Sequence, residues 1–459
     1  MRAPRKISLS AAMVVFVAAF LLIHNVFDIR CYQTPRKVID NDVINFYSYL
    51  PALFAEGDLT LTFAKNDIDR YVCSDHYWPE ILPDGTMLIK TTMGLSMLYC
   101  PFFLVAHTLA EPLGYESDGF SPPYALALIV ACIFWVVMGC VFLRKALLQH
   151  FSEGVTAIVI GITVFATNLY WYSSYEAPYS HGFLFGLICI FLWQTQRWHA
   201  RPTWWGSVAV GLNLGLISLI RPTNALVLLY FIFYDVTPWN ELKEKISQYL
   251  QQWPKMLVMA VCALAVWVPQ MVYWHSMTGH FFFYSYTNNE QFFWTDPKLV
   301  EFLFGFRKGW LVYTPVMIFA ILGLVAVYKR YRRYFYATVV FLVLNIYVLS
   351  CWWCWWYGGS LGQRSMVDCY GLLAIPMAAF LTWVREQKKK VWRITLIVIF
   401  AAITYLSFFH YKQYKHRAIH YDSMTRRAYF DSFGHKYPSE RFDSLLEWPD
   451  YEAAKEGQR

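Results

Sequence analysis

The sequence predicts an all-α polytopic membrane protein, with about eleven transmembrane helices and a large first outer loop that contains interfacial helices. Three observations predict this fold class. Hydrophobic residues make up 57% of the 459-residue chain and charged residues only 15%, a balance that no soluble domain could bury in one core. Apolar runs long enough to cross a bilayer recur along the chain. Lys and Arg collect in the connections on one side of these runs.

Each predicted span is an apolar run close to the roughly 17–25 residues that a membrane helix requires. The runs lie at 9–27, 123–143, 154–171, 181–196, 204–220, 222–235, 256–274, 310–328, 334–351, 366–384 and 392–409. A further run at 91–110 is ambiguous, because counting it as a span reverses the orientation of every later helix.

The distribution of basic residues decides how the run at 91–110 is treated. When this run lies on the outer surface as an interfacial or re-entrant helix, six short inner connections hold 19 of the 39 Lys and Arg residues. The longer outer connections before residue 410 then hold 11. Cytoplasmic loops of membrane proteins carry the excess of basic residues. We therefore predict eleven spans, a cytoplasmic N-terminus and a C-terminal tail outside.

The chain divides into one membrane module, residues 1–409, and a tail, residues 410–459. Within the module, 28–122 form the first outer loop. No small-residue cleavage site follows the first apolar run, so we expect a retained anchor rather than a signal peptide. The tail mixes nine basic with eight acidic residues and many aromatics, which favours a small cap on the outer face.

Unusual polar residues fall almost entirely on the predicted outer side, at the ends of spans. The candidates are Asp40, Asp42, Lys90, Glu176, Tyr179, His181, Arg221, Asn224, Arg307, Gln363 and Arg364. A transporter holds its cargo near the membrane midplane, whereas charges at one interface suit a lipid whose phosphate lies at headgroup depth. Arg and Lys would bind that phosphate, and a carboxylate could act as general base toward a hydroxyl.

The first outer loop resembles a known signature. The segment DVINFYSYLPALFAEGDL is similar to that of the GT-C superfamily of polyprenyl-phosphate-sugar-dependent glycosyltransferases, in which an Asp precedes a Tyr-rich YYxYLPA segment by four residues. Asp42 takes the position of the Asp, and Phe46 replaces the first Tyr. The matching positions are Tyr47, Tyr49, Leu50 and Pro51. The resemblance continues through KTTMGLSMLYCPFFLVAH, PYSHGFLF, LIRPTN, RKGWLVYTP and YGGSLGQRSMVDCYGLLAIP, and covers about 40–376.

The resemblance implies a glycosyltransferase that moves a sugar from a polyprenyl-phosphate carrier to an acceptor with inversion. It implies that Asp42 is the catalytic base and that Lys90, Arg221 and Arg364 neighbour the lipid phosphate. The chemistry agrees, because the reaction expels an anionic phosphate while an acceptor hydroxyl loses its proton. A phosphate leaving group is already charged at neutral pH, so one carboxylate is sufficient.

The expected setting is the inner membrane of a bacterium, with the active site on the periplasmic face. The expected partners are the polyprenyl-phosphate sugar donor, membrane lipid, and lipid A, a glycan or a protein as acceptor, with no nucleic acid. Thr91 and Thr92 depart from the Lys-Pro-Pro form of the aminoarabinose and protein O-mannosyl transferases. The alternatives are a transporter or flippase of lipid-linked glycans, and a non-catalytic scaffold.

Several candidate residues also have plain structural explanations. Asp42 could cap a helix, in which case Asp40 is the alternative base. Lys90 could extend to the interface without a ligand, and Arg221 could form a structural ion pair. Arg364 could belong to an ordinary connecting loop, and His181 could form a hydrogen bond between two helices. Glu176 could be a residue of the membrane interface.

Metal and redox sites have weaker sequence support. Asp67 and Asp69 could ligate a divalent ion, although such a pair in a polar loop is usually a solvated turn, so no cofactor is indicated beyond this one metal option. The CWWCWWY run from 351 is better explained by an aromatic belt at the end of a span. Cys31 and Cys73 share the first outer loop and would be free to pair in an oxidising compartment. Tyr284 and Tyr286 are candidates to face the sugar.

Overall fold

A computed structural model describes residues 7–62, 64, 77–237, 239–286 and 290–459 of the chain. The regular secondary structure of the described part is helical apart from one antiparallel hairpin, β1 (Glu80–Ile81) and β2 (Met87–Leu88). The helices of the first half are α1 (Leu9–Ile23), α2 (Asp42–Tyr47), α3 (Tyr49–Phe54), α4 (Gly94–Ala110), α5 (Pro122–Leu147), α6 (Glu153–Phe165), α7 (Ser180–Ala200) and α8 (Trp204–Ile220).

The second half continues the helical pattern. Its helices are α9 (Val227–Phe233), α10 (Leu242–Gln251), α11 (Trp253–Thr278), α12 (Leu299–Phe304), α13 (Trp310–Tyr313), α14 (Ile318–Arg330), α15 (Phe335–Ser350), α16 (Tyr370–Arg385), α17 (Lys390–Lys415), α18 (Arg426–Ser432) and α19 (Tyr451–Lys455). Each of the eleven predicted spans therefore contains a helix, and the predicted all-α class is confirmed for the described residues.

Six helical segments among the described residues are long and apolar enough to cross a membrane. They are Leu9–Ile29, Pro122–Leu147, Trp253–Thr278, Arg332–Ser350, Arg364–Arg385 and Lys390–Lys415. Shorter apolar helices lie at Glu153–Phe165, Trp204–Ile220 and Pro222–Phe233. This pattern of length and composition is typical of a multi-pass membrane protein.

Two predicted spans are interrupted by proline. The run at 222–235 begins as a 3₁₀ turn, Pro222–Leu226, before α9 starts. The run at 310–328 is divided between α13 and α14 by a short 3₁₀ turn at Pro315–Met317. Proline lacks a backbone N–H and disfavours α-helical backbone in the preceding residue, so both interruptions follow from the sequence. A third helix, α6, ends at Phe165, short of the predicted 171.

The ambiguous run at 91–110 forms one helix, α4, with two distinct faces. Leu95, Tyr99 and Phe103 on one face are buried in the core. On the other face Val105 and Leu109 are exposed by 59% and 47%. A half-buried helix with an apolar outer face fits the predicted interfacial position, which stays a prediction.

The C-terminal segment packs back onto the loops between the long helices. Helix α17 continues past the predicted boundary at residue 409, and the segment after it contacts the tryptophan-rich run, since the ring of Tyr451 lies 5.6 Å from that of Trp356. Trp353, Trp355 and Trp356 are at most 8% exposed. The prediction that this run forms an aromatic belt facing the interface was therefore wrong for these three rings.

Candidate active site

The central contact of the site joins Asp42 to Arg364. Asp42 is the first residue of α2, and its Oδ2 lies 2.7 Å from Nη1 of Arg364. The N-cap of α2 is Asn41, whose φ of 50° and ψ of −129° form a backbone conformation that residues other than glycine rarely adopt. The alternative that Asp42 caps the helix was therefore wrong. Its neighbour Asp40 accepts hydrogen bonds from the backbone N–H of Asn41 at 2.9 Å and from the Asn41 side chain at 3.1 Å.

A glycine-dependent turn delivers Arg364 to this contact. Gly362 has a φ of 58°, and a Cβ at that position would lie 2.7 Å from Cβ of Tyr313. Only glycine fits such a close approach in the left-handed region. The chain then enters the 3₁₀ turn Arg364–Cys369, and the Arg364 guanidinium lies 5.8 Å from the ring centre of Tyr179. The connector explanation for Arg364 is thus incomplete, because its side chain is held by an acid and an aromatic ring.

Lys90 lies between an acid and the ring of a tyrosine. Its Nζ is 2.8 Å from Oε1 of Glu290 and 5.1 Å from the ring centre of Tyr286. The hydroxyl of Ser285 donates to the Lys90 carbonyl, which holds Ser285 against the segment that follows β2. Lys90 and Glu290 are 13% and 15% exposed, so this ion pair is largely removed from water.

The start of α4 and the residues before it contact the end of α8, next to Arg221. The Thr92 hydroxyl donates to the carbonyl of Leu219, at the end of α8. At Gly94 a Cβ would lie only 2.6 Å from the backbone nitrogen of Ile220, so the two helix ends can touch only with glycine there. Arg221 follows directly as the residue after α8, and its guanidinium makes no hydrogen bond or ion pair with another described residue.

Tyr286 lies where these groups meet. Burial raises the pKa of its hydroxyl, and the charges of Arg221, Asp42 and Glu290 all act on it. Lys90 sits over its ring. Lys90 therefore contacts the Tyr286 ring directly, and Asp42 and Arg221 lie within electrostatic range of its hydroxyl. By contrast, Tyr284 is 57% exposed and its hydroxyl donates to the Glu290 carbonyl.

A buried polar network adjoins the cluster. His181 Nδ1 lies 2.8 Å from Oδ1 of Asp368, and Asn224 Nδ2 donates to Oδ2 of the same carboxylate at 2.8 Å. The network joins α7, the turn after Arg221 and the turn before α16. His181 Nε2 has no hydrogen-bond partner among the described residues, and Arg221 lies within electrostatic range of the ring. His181 therefore has the helix-to-helix bond that its structural explanation required.

Glu176 is the second carboxylate of the cluster. Burial raises the pKa of its side chain, which Arg364 and Lys308 oppose. Its Oε2 is buried without a hydrogen-bond partner in the described part of the chain. The connection from α6 to α7 carries both this residue and Tyr179, so the loop supplies an acid and a ring to the same side of Arg364.

Two further sequence candidates have structural partners. Gln363 is fully buried, and its Nε2 donates to the carbonyl of Trp355 at 2.9 Å. Arg307 donates to the backbone carbonyl of Asp422 at 3.1 Å and lies 5.7 Å from the ring centre of Trp356. Arg307 is therefore engaged by the C-terminal segment rather than by the Asp42 cluster.

Sequence reasoning missed two acids that organise the site. Glu290 was the one acid in the aromatic stretch FFFYSYTNNEQFFW, and Asp368 was the one acid in the apolar run after Arg364. A lone acid surrounded by apolar residues is costly to bury unless it is paired, and that signal could have identified Asp368. Glu290 stands between Asn289 and Gln291 and gives no such signal.

The candidate metal and disulfide residues lie largely in a part of the first loop that the structure does not describe. Asp67, Asp69 and Cys73 lie outside the described residues, so the structure does not test the alternatives of a metal ion at the two acids and of a Cys31–Cys73 pair. Within the described residues, no three His, Cys, Asp or Glu side chains are grouped so as to hold a metal ion.

No protein-family model and no curated protein matches this sequence. Among solved structures, the fold is similar to the oligosaccharyltransferase of Archaeoglobus fulgidus in three forms. These are the apo form, AglB in complex with an inhibitory peptide and a dolichol-phosphate, and the enzyme tethered to an acceptor peptide containing the NVT sequon. The TM-scores are 0.47, 0.48 and 0.48, each at 12% identity. The matches cover 87% of this chain and 55%, 55% and 54% of those chains, so this chain spans about half their length. At these scores the likeness says nothing about the substrates of this chain.

Proposed function

We propose that the protein is an integral-membrane glycosyltransferase that moves a sugar from a polyprenyl-phosphate carrier to an acceptor hydroxyl with inversion. The observation that carries the proposal is the cluster itself. Asp42, Lys90, Arg221 and Arg364 come from four separate segments: Lys90 lies over the ring of Tyr286, the charges of Asp42 and Arg221 act on its hydroxyl, and Arg364 pairs with Asp42. Cations on one side and a carboxylate on the other suit expulsion of a phosphate with simultaneous deprotonation of a nucleophile.

In this mechanism Asp42 removes the proton of the acceptor hydroxyl. Its Oδ2 faces Arg364, and the side chain is 27% exposed, so the carboxylate remains accessible to a substrate hydroxyl. Arg364 keeps the carboxylate oriented and adds positive charge near the departing phosphate. Arg221, which lacks an internal anion in the described part of the chain, binds that phosphate together with Lys90 once Glu290 is displaced.

The predicted topology gives this reaction its setting. With eleven spans and a cytoplasmic N-terminus, the cluster lies at the periplasmic face of a bacterial inner membrane. Residues 1–409 form the transferase module and 410–459 the cap. The donor reaches the site from the bilayer, and the acceptor, lipid A, a glycan or a protein, arrives from the periplasm. A divalent ion, if one takes part, would need donors beyond the described cluster, such as Asp67 and Asp69.

The experiment that tests the proposal measures release of polyprenyl phosphate by the purified protein from a panel of polyprenyl-phosphate sugars. We expect turnover with one donor class, and a loss of about 100-fold or more in Asp42→Asn, because a positioned general base contributes that much. Asp40→Asn is the matched control, because it makes the same substitution two residues away, at the carboxylate that accepts hydrogen bonds from Asn41. Equal turnover by the native protein and Asp42→Asn would remove Asp42 from the mechanism.

The alternative function, transport or flipping of lipid-linked glycans, predicts a different outcome of the same experiment. It predicts no turnover with any donor and movement of the intact lipid across proteoliposomes. The interruption at Pro222 directly follows Arg221 of the charged cluster, which fits a site at one membrane face better than a carrier site at the midplane.

A further inference from the structure

A groove separates α6 from α17 on the surface of the helical bundle. It has a volume of about 460 Å³ and opens to the outside of the protein. Phe165 and Ala166 line it from one side, and Phe400, Ala401 and Phe408 line it from the other. The volume falls in the range of roughly 300–1,000 Å³ that small-ligand sites occupy. Both walls belong to apolar helices, so the groove faces the hydrocarbon of a membrane rather than water.

Two lysines stand at one end of this groove. Lys412 lies one turn beyond Phe408, and its Nζ is 5.4 Å from the centre of that ring. Lys415 Nζ is 2.8 Å from the hydroxyl of Tyr175. Both lysines are exposed, they share one face of α17, and neither forms an ion pair with a described acid. The end of the groove therefore carries unneutralised positive charge.

We propose that the groove holds one acyl chain of an anionic phospholipid, whose phosphate binds Lys412 and Lys415. A lipid-facing apolar groove in a bilayer is filled by hydrocarbon, and the position of the two cations next to its last aromatic residue matches headgroup depth. A lysine that only extended to the interface would not require a partner, but two neighbouring lysines on one face attract anionic lipid. Tyr170 adds an aromatic ring 6.5 Å from Phe408 at the same end.

The bound phosphate would contact the loop that carries Glu176. The ring of Tyr175, the partner of Lys415, stacks on that of Trp171 at 4.5 Å. The carbonyl of Trp171 accepts the backbone N–H of Glu176 at 3.1 Å. Lipid bound at the lysines therefore stabilises the connection between α6 and α7. The inference depends on membrane embedding and not on the proposed transfer reaction.

The test uses the full-length protein in a zwitterionic detergent, with lipid retention measured by native mass spectrometry and stability by the thermal midpoint. The probes are phosphatidylglycerol, phosphatidylcholine of the same chains, and inorganic phosphate. We expect phosphatidylglycerol alone to be retained and to raise the midpoint. The double variant Lys412→Gln/Lys415→Gln should lose at least tenfold in retention, and Ala401→Trp, which fills the groove while keeping both charges, should lose as much.

Two matched controls accompany these variants. Lys388→Gln/Lys389→Gln removes two exposed lysines at the opposite end of the same helix, and Ala402→Trp adds the same ring one residue away from the groove wall. Both should retain phosphatidylglycerol as the native protein does. Equal retention of phosphatidylcholine, full retention by Ala401→Trp, or the same stabilisation by inorganic phosphate alone would overturn the proposal. Retention is read without turnover, so failure of the transferase proposal does not affect the outcome.

Discussion

Asp42 and Arg364 form a direct ion pair between the start of α2 and the turn that precedes α16, with 2.7 Å between Oδ2 and Nη1. Their side chains are 27% and 13% exposed. The pair thus joins two segments that are remote in sequence, at the position where the proposed reaction needs a carboxylate and a cation. Partial removal from water makes such a contact stronger than a surface pair.

A double-mutant cycle should detect this contact as a coupling in the free energy of unfolding. The variants are Asp42→Asn, Arg364→Met and the double substitution, unfolded in mixed detergent micelles. We expect a coupling of about 0.5–3 kcal/mol, the range for residues in direct contact. The same cycle on Arg330 and Glu386, an ion pair whose side chains are each 47% exposed, should give less than about 1 kcal/mol. Additive effects at Asp42 and Arg364 would show that the two side chains do not interact.

Substitutions at Lys90 and Glu290 distinguish two roles of Lys90, binding of the donor phosphate and structural pairing with Glu290. If Lys90 binds the donor phosphate, Lys90→Met should raise the donor KM about tenfold or more, because a charged hydrogen bond contributes about 1.5–3 kcal/mol. Glu290→Gln keeps the cation and removes its competing anion, so the donor KM should fall or stay unchanged. Steady-state kinetics with the active donor measures both. A KM raised equally by the two substitutions would mean that the ion pair only maintains the fold.

The network around Asp368 should be important for stability. Asp368→Ala leaves both His181 Nδ1 and Asn224 Nδ2 without their acceptor in a buried position. Each lost partner costs about 1–3 kcal/mol, so the free energy of unfolding should fall by at least about 2 kcal/mol. Asp368→Asn keeps one carbonyl acceptor and should lose less. Glu452→Ala, at a side chain that is 82% exposed, is the control and should change stability by less than about 1 kcal/mol. A change at Asp368→Ala no larger than at the control would contradict the network.

The positions of the helices could be predicted because membrane length and apolar composition constrain them strongly. Asp42, Lys90, Arg221 and Arg364 could be selected for a related reason. Charged side chains at the ends of apolar runs are expensive to place unless they serve a site or a partner. The interruptions at Pro222 and Pro315 follow from the proline residues themselves, although continuous spans were predicted there.

The partners of these residues could not be predicted, because they depend on contacts between distant segments. Nothing in the sequence around Lys90 indicates Glu290, and nothing around His181 indicates Asp368. The inward packing of Trp353 and Trp356 depends on Tyr451, nearly a hundred residues later in the printed sequence. The aromatic composition of this run predicted that the tryptophans lie at the membrane interface, whereas in the structure the C-terminal segment covers them.

The buried amine of Lys308 should give the protein a stability that rises with pH. Lys308 is 1% exposed and donates to the backbone carbonyls of Ser360 and Tyr421, which joins the glycine-rich turn to the C-terminal segment. Burial lowers the pKa of this amine to about 7, with Arg364 acting in the same direction and Asp422 opposing it. In the unfolded chain the amine holds its proton up to about pH 10. Between about pH 7 and pH 10 the unfolded state therefore binds more protons, and the free energy of unfolding rises with pH. Below about pH 7 both states are protonated, and the cost of burying the charge is fully present.

Lys308→Met should lack this rise, so the native protein should gain stability relative to the variant between pH 7 and pH 9.5. Thermal midpoints at several pH values measure the difference, and Lys436→Met, at an exposed lysine, should run parallel to the native protein. Parallel curves for Lys308→Met as well would show that Lys308 keeps an ordinary charge in the folded state.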